Sequence, residues 1–253
     1  MLPIDFKNRM KILLGEEYEK FEASYSENSV RSFRVNTNKI SEEKFERINP
    51  FGGEKIPYAE NSFYFSCDGI GNHPYHHAGM IYIQEPSAMA PVAAIEIQSD
   101  WNILDLCASP GGKSTQAAAK NKDGILVSNE IVPSRCKTLT GNIERMGFRN
   151  VITTCADAKK IASLYGEAFD LVIVDAPCSG EGMFRKDENA RKEWSVENVL
   201  HCAERQRDIL DEIKSAVKPG GYLLYSTCTF SLEENEKNVD WFLTGNENFE
   251  LIN

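Results

Sequence analysis

Two cysteines of this chain stand where reactive groups are expected. Cys178 and Cys228 each come at the end of a short apolar run, and Asp175 lies three residues before Cys178. A thiolate is a strong nucleophile, and a local positive field lowers the thiol pKa from its free value of about 8.5. A small core residue is the ordinary alternative for any single cysteine. Because these two cysteines lie at the ends of adjacent predicted strands and beside an acid, the catalytic interpretation is favoured.

A pair of glycines follows an earlier apolar run. Residues 107–113 read Cys-Ala-Ser-Pro-Gly-Gly-Lys and precede a helical pattern. Glycines between a strand and a helix let the backbone approach a ligand, and the helix start adds free amides. The segment predicts a site for a cofactor carboxylate or phosphate, with a plain tight turn as the alternative. A P-loop would need glycine where Cys107 stands, so an NTPase is disfavoured.

Two further acids close the next predicted strands. Glu130 ends the second strand, where an acid can hold ribose hydroxyls. Asp157 ends the third, where a carboxylate could accept from an adenine amino group. Each acid alone is as consistent with an ordinary surface position. Together, at successive strand ends, they fit an adenosine-containing cofactor.

The elements that must position these residues follow from alternating apolar and helical stretches. Such alternation predicts an α/β fold with a mostly parallel sheet and helices on both faces, with ligands bound beyond the carboxyl ends of the strands. The predicted strands are 102–107, 124–130, 151–156, 170–175 and 221–227, with a sixth beginning at 249–252.

Local signals predict where several helices begin and end. Pro133 suits a first helical turn, and Gly147 should end the same helix. Ser231 with Glu234 fits a capping box, and Gly220 should close a long helix over 195–218.

The first part of the chain has a different pattern. A helical face over 6–25 and a strand over 31–36 are followed by loops rich in Gly, Asn, Pro and His. We therefore expect a small α+β domain over residues 1–75, preceding a catalytic domain over residues 76–253.

Composition restricts the class of protein. The 253 residues include seven cysteines with no CxxC pair, which argues against a zinc site and a disulfide framework. No apolar run has the length of a membrane span and the start is not a signal peptide, so a cytoplasmic protein without metal or membrane contact is expected. The formal charge of −10 disfavours tight binding of a polyanion, although a local basic face can coexist with it. We expect such a face from Arg31, Arg34, Arg185, Lys186 and Arg191.

Taken together, these segments resemble the Nop2/Sun family of RNA cytosine-5 methyltransferases, over roughly residues 30–253. The extension over 180–186, Gly-Glu-Gly-Met-Phe-Arg-Lys, is most similar to bacterial F-type enzymes that act on small-subunit ribosomal RNA. The segments that carry the resemblance are Phe33-Arg34-Val35-Asn36-Thr37, Gln84-Glu85-Pro86-Ser87, Ala108-Ser109-Pro110-Gly111-Gly112-Lys113, Asp175-Ala176-Pro177-Cys178-Ser179-Gly180 and Ser226-Thr227-Cys228.

The resemblance implies a Rossmann-like class I methyltransferase that uses S-adenosylmethionine to methylate C5 of a cytosine in RNA, and the F-type likeness implies that this RNA is 16S ribosomal RNA. It implies that Cys228 attacks the base, that Cys178 assists release, and that Asp175 and Lys113 act beside them. The substrate would be naked RNA or the assembled small subunit, and a monomer is the default. The implied cofactor residues are Cys107, Ala108, Ser109, Pro110, Gly111, Gly112, Lys113, Glu130, Asp157 and Asp175, with Arg135 a further contact.

Two features keep alternatives open. Family catalytic domains have a seventh strand, and F-type enzymes have a C-terminal RNA-binding region, so this chain is expected to be a shortened form. The alternative functions for this chain are a methyltransferase acting on DNA cytosine or protein, and a cofactor-binding or RNA-scaffolding remnant. DNA cytosine-5 enzymes carry their nucleophile in the Pro-Cys motif, so the Thr-Cys at 227–228 favours RNA.

Overall fold

The computed structural model describes residues 2–252 and divides them into two compact units. The sheet unit comprises Val30–Asp175 and Glu212–Tyr225, and the cysteine unit comprises the chain up to Ser29, Ala176–Asp211 and the chain from Ser226. This division differs from the expected boundary at residue 75, which stays a prediction. In chain order the elements are α1 (Ile4–Leu14), α2 (Tyr18–Ser24), β1 (Arg31–Val35), α3 (Glu42–Ile48), β2 (Ser62–Phe65), α4 (Pro74–His77), β3 (Ile81–Ile83), α5 (Pro86–Ala93), β4 (Ile103–Asp105), α6 (Gly112–Lys120), β5 (Leu126–Asn129), α7 (Pro133–Met146), β6 (Val151–Thr154), α8 (Ala158–Leu164), β7 (Phe169–Asp175), α9 (Glu188–Glu193), α10 (Val196–Ile213), β8 (Val217–Ser226) and α11 (Glu236–Gly245).

The sheet unit contains the predicted α/β sheet, flanked by helices. Its strand order is β6-β5-β4-β7-β8, and β4 pairs in parallel with both β5 and β7. The order therefore reverses at β4, the first strand of the sheet. In sheets of this kind the crevice beyond the carboxyl ends at the reversal point binds ligands. The core beneath it is apolar and includes the buried side chains of Ile103, Leu126, Leu171 and Ile173.

A second, smaller sheet lies in the same unit. It has the order β2-β1-β3, with both pairs antiparallel. Phe33 of β1 is fully buried and stacks on Phe63 of β2 at a ring distance of 5.7 Å. Alternating aromatic residues on these strands bury one face of the sheet, which is why the predicted strand over 31–36 forms. The predicted strand over 31–36 is confirmed as β1, whereas β2 forms where loops were expected.

The cysteine unit has its own aromatic core. Phe6 and Met10 of α1 pack with Phe184, Trp194 and Val199. Phe6 meets Phe184 edge to face at a ring distance of 4.9 Å. The predicted helical face over 6–25 is present, but a short 3-10 turn over Gly15–Glu17 divides it into α1 and α2. Gly15 has a φ of 52°, a left-handed conformation that suits glycine and ends α1.

Several local predictions are confirmed and several are wrong. Pro133 starts α7 and Gly147 ends it in the left-handed conformation. Gly220 does not close a helix, because α10 ends at Ile213 and Gly220 lies inside β8. Ser231 and Glu234 form no capping box, since α11 begins at Glu236 with Asn235 before it. Residues 249–252 form no strand in the part of the chain that the structure describes.

No helix within residues 2–252 is long and apolar enough to cross a membrane.

Candidate active site

The glycine turn joins β4 to α6 in the sheet unit. Gly111 has a φ of 108°, which L residues rarely adopt, and its N–H donates to the Ala108 carbonyl at 2.7 Å. A Cβ on Gly112 would come within 3.1 Å of the Gln84 side chain. The φ of Gly111 therefore requires glycine, whereas a Cβ on Gly112 would have to displace the Gln84 side chain slightly. The turn places the first amides of α6 at the carboxyl end of β4, as predicted.

Glu130 lies directly after β5 with only 2% of its surface exposed. Its Oε1 accepts the Val132 N–H at 3.0 Å, whereas its Oε2 has no hydrogen-bond donor among residues 2–252. Arg135 Nη1 lies 3.3 Å from that oxygen as an ion pair, and Arg135 Nη2 donates to the Ser109 carbonyl. A buried carboxylate oxygen without a donor suits a ligand hydroxyl. The geometry fits the predicted ribose contact, with Arg135 holding the acid.

Asn129 is a residue that sequence reasoning missed. Its amide donates to the carbonyls of Leu106 and Ala156 at 3.0 and 2.9 Å. Its Oδ1 accepts from the Thr154 hydroxyl at 2.8 Å. The fully buried side chain therefore ties together the segments that follow β4 and β6 around the end of β5. No local pattern distinguishes such an asparagine from an ordinary polar residue next to Glu130.

Asp157 occupies a simpler position. It is the N-cap of α8, where its Oδ1 accepts the Lys160 N–H at 2.7 Å. The side chain is exposed. This cap accounts for why an acid stands at the start of α8. Its contact with an adenine amino group stays a prediction.

Asp105, the last residue of β4, is a second residue that sequence reasoning missed. It is fully buried, and its Oδ2 accepts the Ser114 hydroxyl at 2.6 Å. Its Oδ1 has no partner within residues 2–252. Burial raises the pKa of this carboxyl to about 7. Burial likewise raises the pKa of Cys107 to about 12, so this thiol stays protonated at neutral pH.

Lys113 and Asp175 are brought together as an ion pair. Lys113 follows the glycine turn in α6 and Asp175 ends β7. The Lys113 Nζ lies 2.7 Å from the Asp175 Oδ2, with 10% of the lysine and 37% of the aspartate side chain exposed. The structure thus shows Lys113 in an ion pair within the fold, and its contact with the base or a phosphate stays a prediction. Asp175 remains accessible enough to contact a ligand.

Cys178 and Cys228 are brought together in the cysteine unit. Their Sγ atoms lie 3.2 Å apart, and the Cys228 N–H donates to the Cys178 Sγ at 3.4 Å. Cys228 is exposed and Cys178 is partly buried. The neighbouring Cys228 thiol and burial together raise the pKa of Cys178 above its ordinary range. The two thiols thus differ in kind: Cys228 is open to a substrate, and Cys178 is a protonated group beside it.

The predicted basic face is partly wrong. Arg34 is 4% exposed, and its guanidinium donates to Gln84, to the Gly112 carbonyl and to Thr115. A side chain held in this way cannot meet an RNA phosphate. Arg185 and Arg191 donate to the carbonyls of Ser24 and Phe184 within the cysteine unit. Their contact with RNA stays a prediction, as does that of Lys186 and of Arg31, which pairs with Asp68.

The strand order, the glycine turn and the buried acid after β5 give the chain the fold of the class I S-adenosylmethionine-dependent methyltransferases. Donors and acceptors at this sheet edge fit that cofactor, because Glu130 offers an acceptor without a donor and the turn offers free amides. The cofactor is the one predicted from the sequence.

The chain belongs to the family described as 16S rRNA methyltransferase RsmB/F, which matches residues 92–253. A second description, the N-terminal domain of 16S rRNA methyltransferase RsmF, matches residues 2–86. The predicted family and its F-type branch are confirmed.

Individual relatives agree with this assignment. Ribosomal RNA small subunit methyltransferase F of Vibrio vulnificus is 42% identical over 93% of this chain. The same enzyme of Klebsiella pneumoniae is 43% identical over 85%. The chain spans about half the length of these curated relatives, 52% and 47%.

Solved structures show the same fold. A methyltransferase homolog from Pyrococcus horikoshii superposes with a TM-score of 0.83 at 31% identity, covering 94% of this chain and 77% of its own. NSun6 from Pyrococcus horikoshii, solved with SFG, superposes with a TM-score of 0.86 at 22% identity, covering 96% of this chain and 88% of its own. At that identity the second likeness concerns the fold alone.

Proposed function

We propose that this chain methylates C5 of a cytosine in 16S ribosomal RNA through a covalent bond between Cys228 and C6 of the base. The observation that carries the proposal is the pair of thiols 3.2 Å apart, one exposed and one partly buried. Membership in a family of 16S rRNA methyltransferases supports the substrate. The partner is therefore RNA, as naked small-subunit ribosomal RNA or in the assembled subunit, and the place of action is the cytoplasm.

The chemistry explains why a nucleophile is needed. C5 of cytosine is a poor nucleophile, and S-adenosylmethionine supplies the methyl group when bound. The Cys228 thiolate adds to C6, and the electron pair of the C5–C6 double bond becomes available at C5. After methylation a base removes the C5 proton, the double bond re-forms and the bond between C6 and Cys228 breaks. Splitting the reaction in this way replaces one difficult step by two easier ones.

The remaining residues stabilise charge and move protons. Asp175, paired with Lys113, is proposed to hydrogen-bond the N3/N4 edge of the base as charge develops there. Cys178, whose pKa is raised, is proposed to assist elimination directly or through water. Glu130, the glycine turn and Asp157 are proposed to hold the ribose, carboxylate and adenine of the cofactor.

Transfer of labelled methyl groups to ribosomal RNA, followed by mapping of the modified nucleotide, tests the reaction. Cys228→Ala should lose transfer, form no adduct on a denaturing gel and still bind S-adenosylmethionine. Cys178→Ala should accumulate a protein–RNA adduct, because attack and methylation continue while release is slowed. A pair of core cysteines would instead lower stability modestly and alike, without an adduct from either.

Other outcomes would change the assignment. An adduct that appears in Cys228→Ala but not in Cys178→Ala would reverse the two roles, as in DNA cytosine-5 enzymes. Since the chain spans about half of its relatives, the assay should include a protein with the relatives' full length. Absence of 5-methylcytosine with both proteins would refute the proposal.

A further inference from the structure

Two glutamates of the cysteine unit are completely buried. Glu181 lies in a short 3-10 helix after Cys178, and Glu234 lies after Cys228. Both side chains have 0% exposure. Burying a carboxylate costs several kcal/mol unless hydrogen bonds satisfy it. The proposed chemistry uses neither residue, so their burial needs another explanation.

Glu181 holds the segment that follows Cys228. Its Oε2 accepts the Phe230 N–H at 2.9 Å, and its Oε1 accepts the Trp194 indole N–H at 3.1 Å. The next residue, Gly182, donates its N–H to the Cys228 carbonyl at 2.9 Å. A Cβ on Gly182 would come within 2.9 Å of the same carbonyl, so the approach requires glycine. The Cys228 carbonyl and the Phe230 N–H that follows it are thus both held by residues 181–182.

Glu234 holds the segment that follows Cys178 in the reciprocal way. Its Oε2 accepts the Ser179 N–H at 3.0 Å, and its Oε1 accepts the Ser179 hydroxyl at 2.5 Å. Gln206 donates to Glu234 at 2.8 Å and to the Pro177 carbonyl at 3.0 Å. The residues before and after Cys178 are thus both fixed to the same cluster.

Glu181 follows Cys178 and accepts a hydrogen bond from the segment after Cys228, and Glu234 follows Cys228 and accepts hydrogen bonds from the segment after Cys178. We call this reciprocal arrangement the brace. Every contact named for the two glutamates is a donor N–H or O–H, and an ionised carboxylate is a pure acceptor. Charge-assisted hydrogen bonds are roughly twice as strong as neutral ones. A glutamine in place of either glutamate would keep one acceptor oxygen, but its NH2 group would face a donor at the position of the other carboxylate oxygen.

We propose that Glu181 and Glu234 are positioning residues that set the distance and orientation of the Cys228 and Cys178 thiols. Glu181 acts on the attacking thiol and Glu234 on the releasing thiol. This inference rests on the proposed function for its catalytic consequence, but the thiol geometry can be measured without any methyl transfer.

Binding of phenylarsine oxide, which condenses with two neighbouring thiols and releases water, measures that geometry. The background should carry Cys136→Ser and Cys155→Ser, because these two thiols line a common pocket. Glu181→Gln and Glu234→Gln should each weaken arsenical binding about tenfold or more, at a temperature at which both remain folded. The matched control is Glu233→Gln, whose carboxylate pairs with Arg9 and Lys237 instead, and it should bind as the parent does.

The catalytic readout separates the two glutamates. Glu181→Gln should slow adduct formation by about 100-fold, the scale expected for a misplacement of about 1 Å. Glu234→Gln should instead accumulate adduct, as loss of Cys178 does. Both should keep the parent affinity for S-adenosylmethionine, because the residues proposed to hold it lie in the sheet unit.

A purely structural role predicts a different pattern. Both variants would then lower the melting temperature while arsenical binding and the adduct rates, measured well below it, stay unchanged. That result would overturn the inference. If either glutamine variant fails to fold, Ser179→Ala removes one contact to Glu234 and should give an intermediate loss of arsenical affinity, whereas parent-like affinity would count against the brace. If no variant or parent transfers methyl groups but arsenical binding still depends on both glutamates, the proposed function fails and the positioning role stands.

Discussion

Lys113 Nζ lies 2.7 Å from Asp175 Oδ2, and this ion pair joins the glycine turn to the end of β7. The lysine side chain is nearly buried, whereas the aspartate side chain is partly exposed. The pair therefore links the predicted cofactor segment with the residue proposed to contact the base.

Replacing Asp175 alone should lower the free energy of unfolding more than replacing Asp175 and Lys113 together. Asp175→Asn leaves a nearly buried ammonium without its ion pair and should lower the free energy of unfolding by about 3 kcal/mol. Lys113→Met should lower the free energy of unfolding less than Asp175→Asn does, because the Asp175 side chain that remains is partly exposed. Denaturant unfolding of both single variants and of the double variant measures the coupling. Additive losses would show that the two charges do not interact.

Loss of Glu130 should weaken cofactor binding. The Glu130→Ala variant removes the buried Oε2 acceptor proposed for a ribose hydroxyl, and one hydrogen bond to a charged group contributes about 1.5–3 kcal/mol. Calorimetry should therefore show an affinity for S-adenosylmethionine reduced by about 10- to 100-fold. Glu144→Ala, an exposed acid on α7, serves as the matched control. Equal affinity in both variants would remove the ribose assignment.

Protonation of Asp105 should contribute to the free energy of unfolding, and this contribution should be lost as the pH rises from about 4 to about 7. The folded pKa of this buried carboxyl is about 7, above the ordinary value of 3.8. The folded state thus binds its proton more tightly, so the contribution is full below about pH 4 and is lost as pH rises through about 7. Asp105→Asn should gain stability relative to the parent over that range.

Melting temperatures of the parent and Asp105→Asn at several pH values measure this contribution. Asp208→Asn, an exposed acid on α10, should show a constant difference from the parent instead. A constant difference for Asp105→Asn as well would mean that its pKa is not raised in the folded state.

Arg34 should matter for stability and not for RNA contact. Arg34→Met leaves the acceptors of Gln84, Gly112 and Thr115 without their donor, and should cost about 2–4 kcal/mol. In a titration with ribosomal RNA, the slope of log affinity against log salt should equal that of the parent. A slope reduced by about one would show that Arg34 neutralises a phosphate after all.

The sequence by itself determined the fold class, the place of the glycine turn and the two cysteines that we propose to be reactive. Alternation of apolar and helical segments predicts the sheet because each strand must bury its apolar residues, and that requirement is local. Pro133 and Gly147 bound α7 for equally local reasons. The residues after each strand are likewise adjacent in sequence to the elements that position them.

Contacts between distant segments were decided only by the tertiary structure. The capping role predicted for Glu234 is local, yet its carboxylate accepts from Ser179, 55 positions away. Helix α10 ends at Ile213 rather than near Gly220 because Val217 enters the sheet as β8. Arg34, an expected surface cation, is a buried donor because the fold brings Gly112 and Thr115 beside it. A local pattern reports propensity and burial, whereas the partner that satisfies a buried charge comes from whichever segment folding brings beside it.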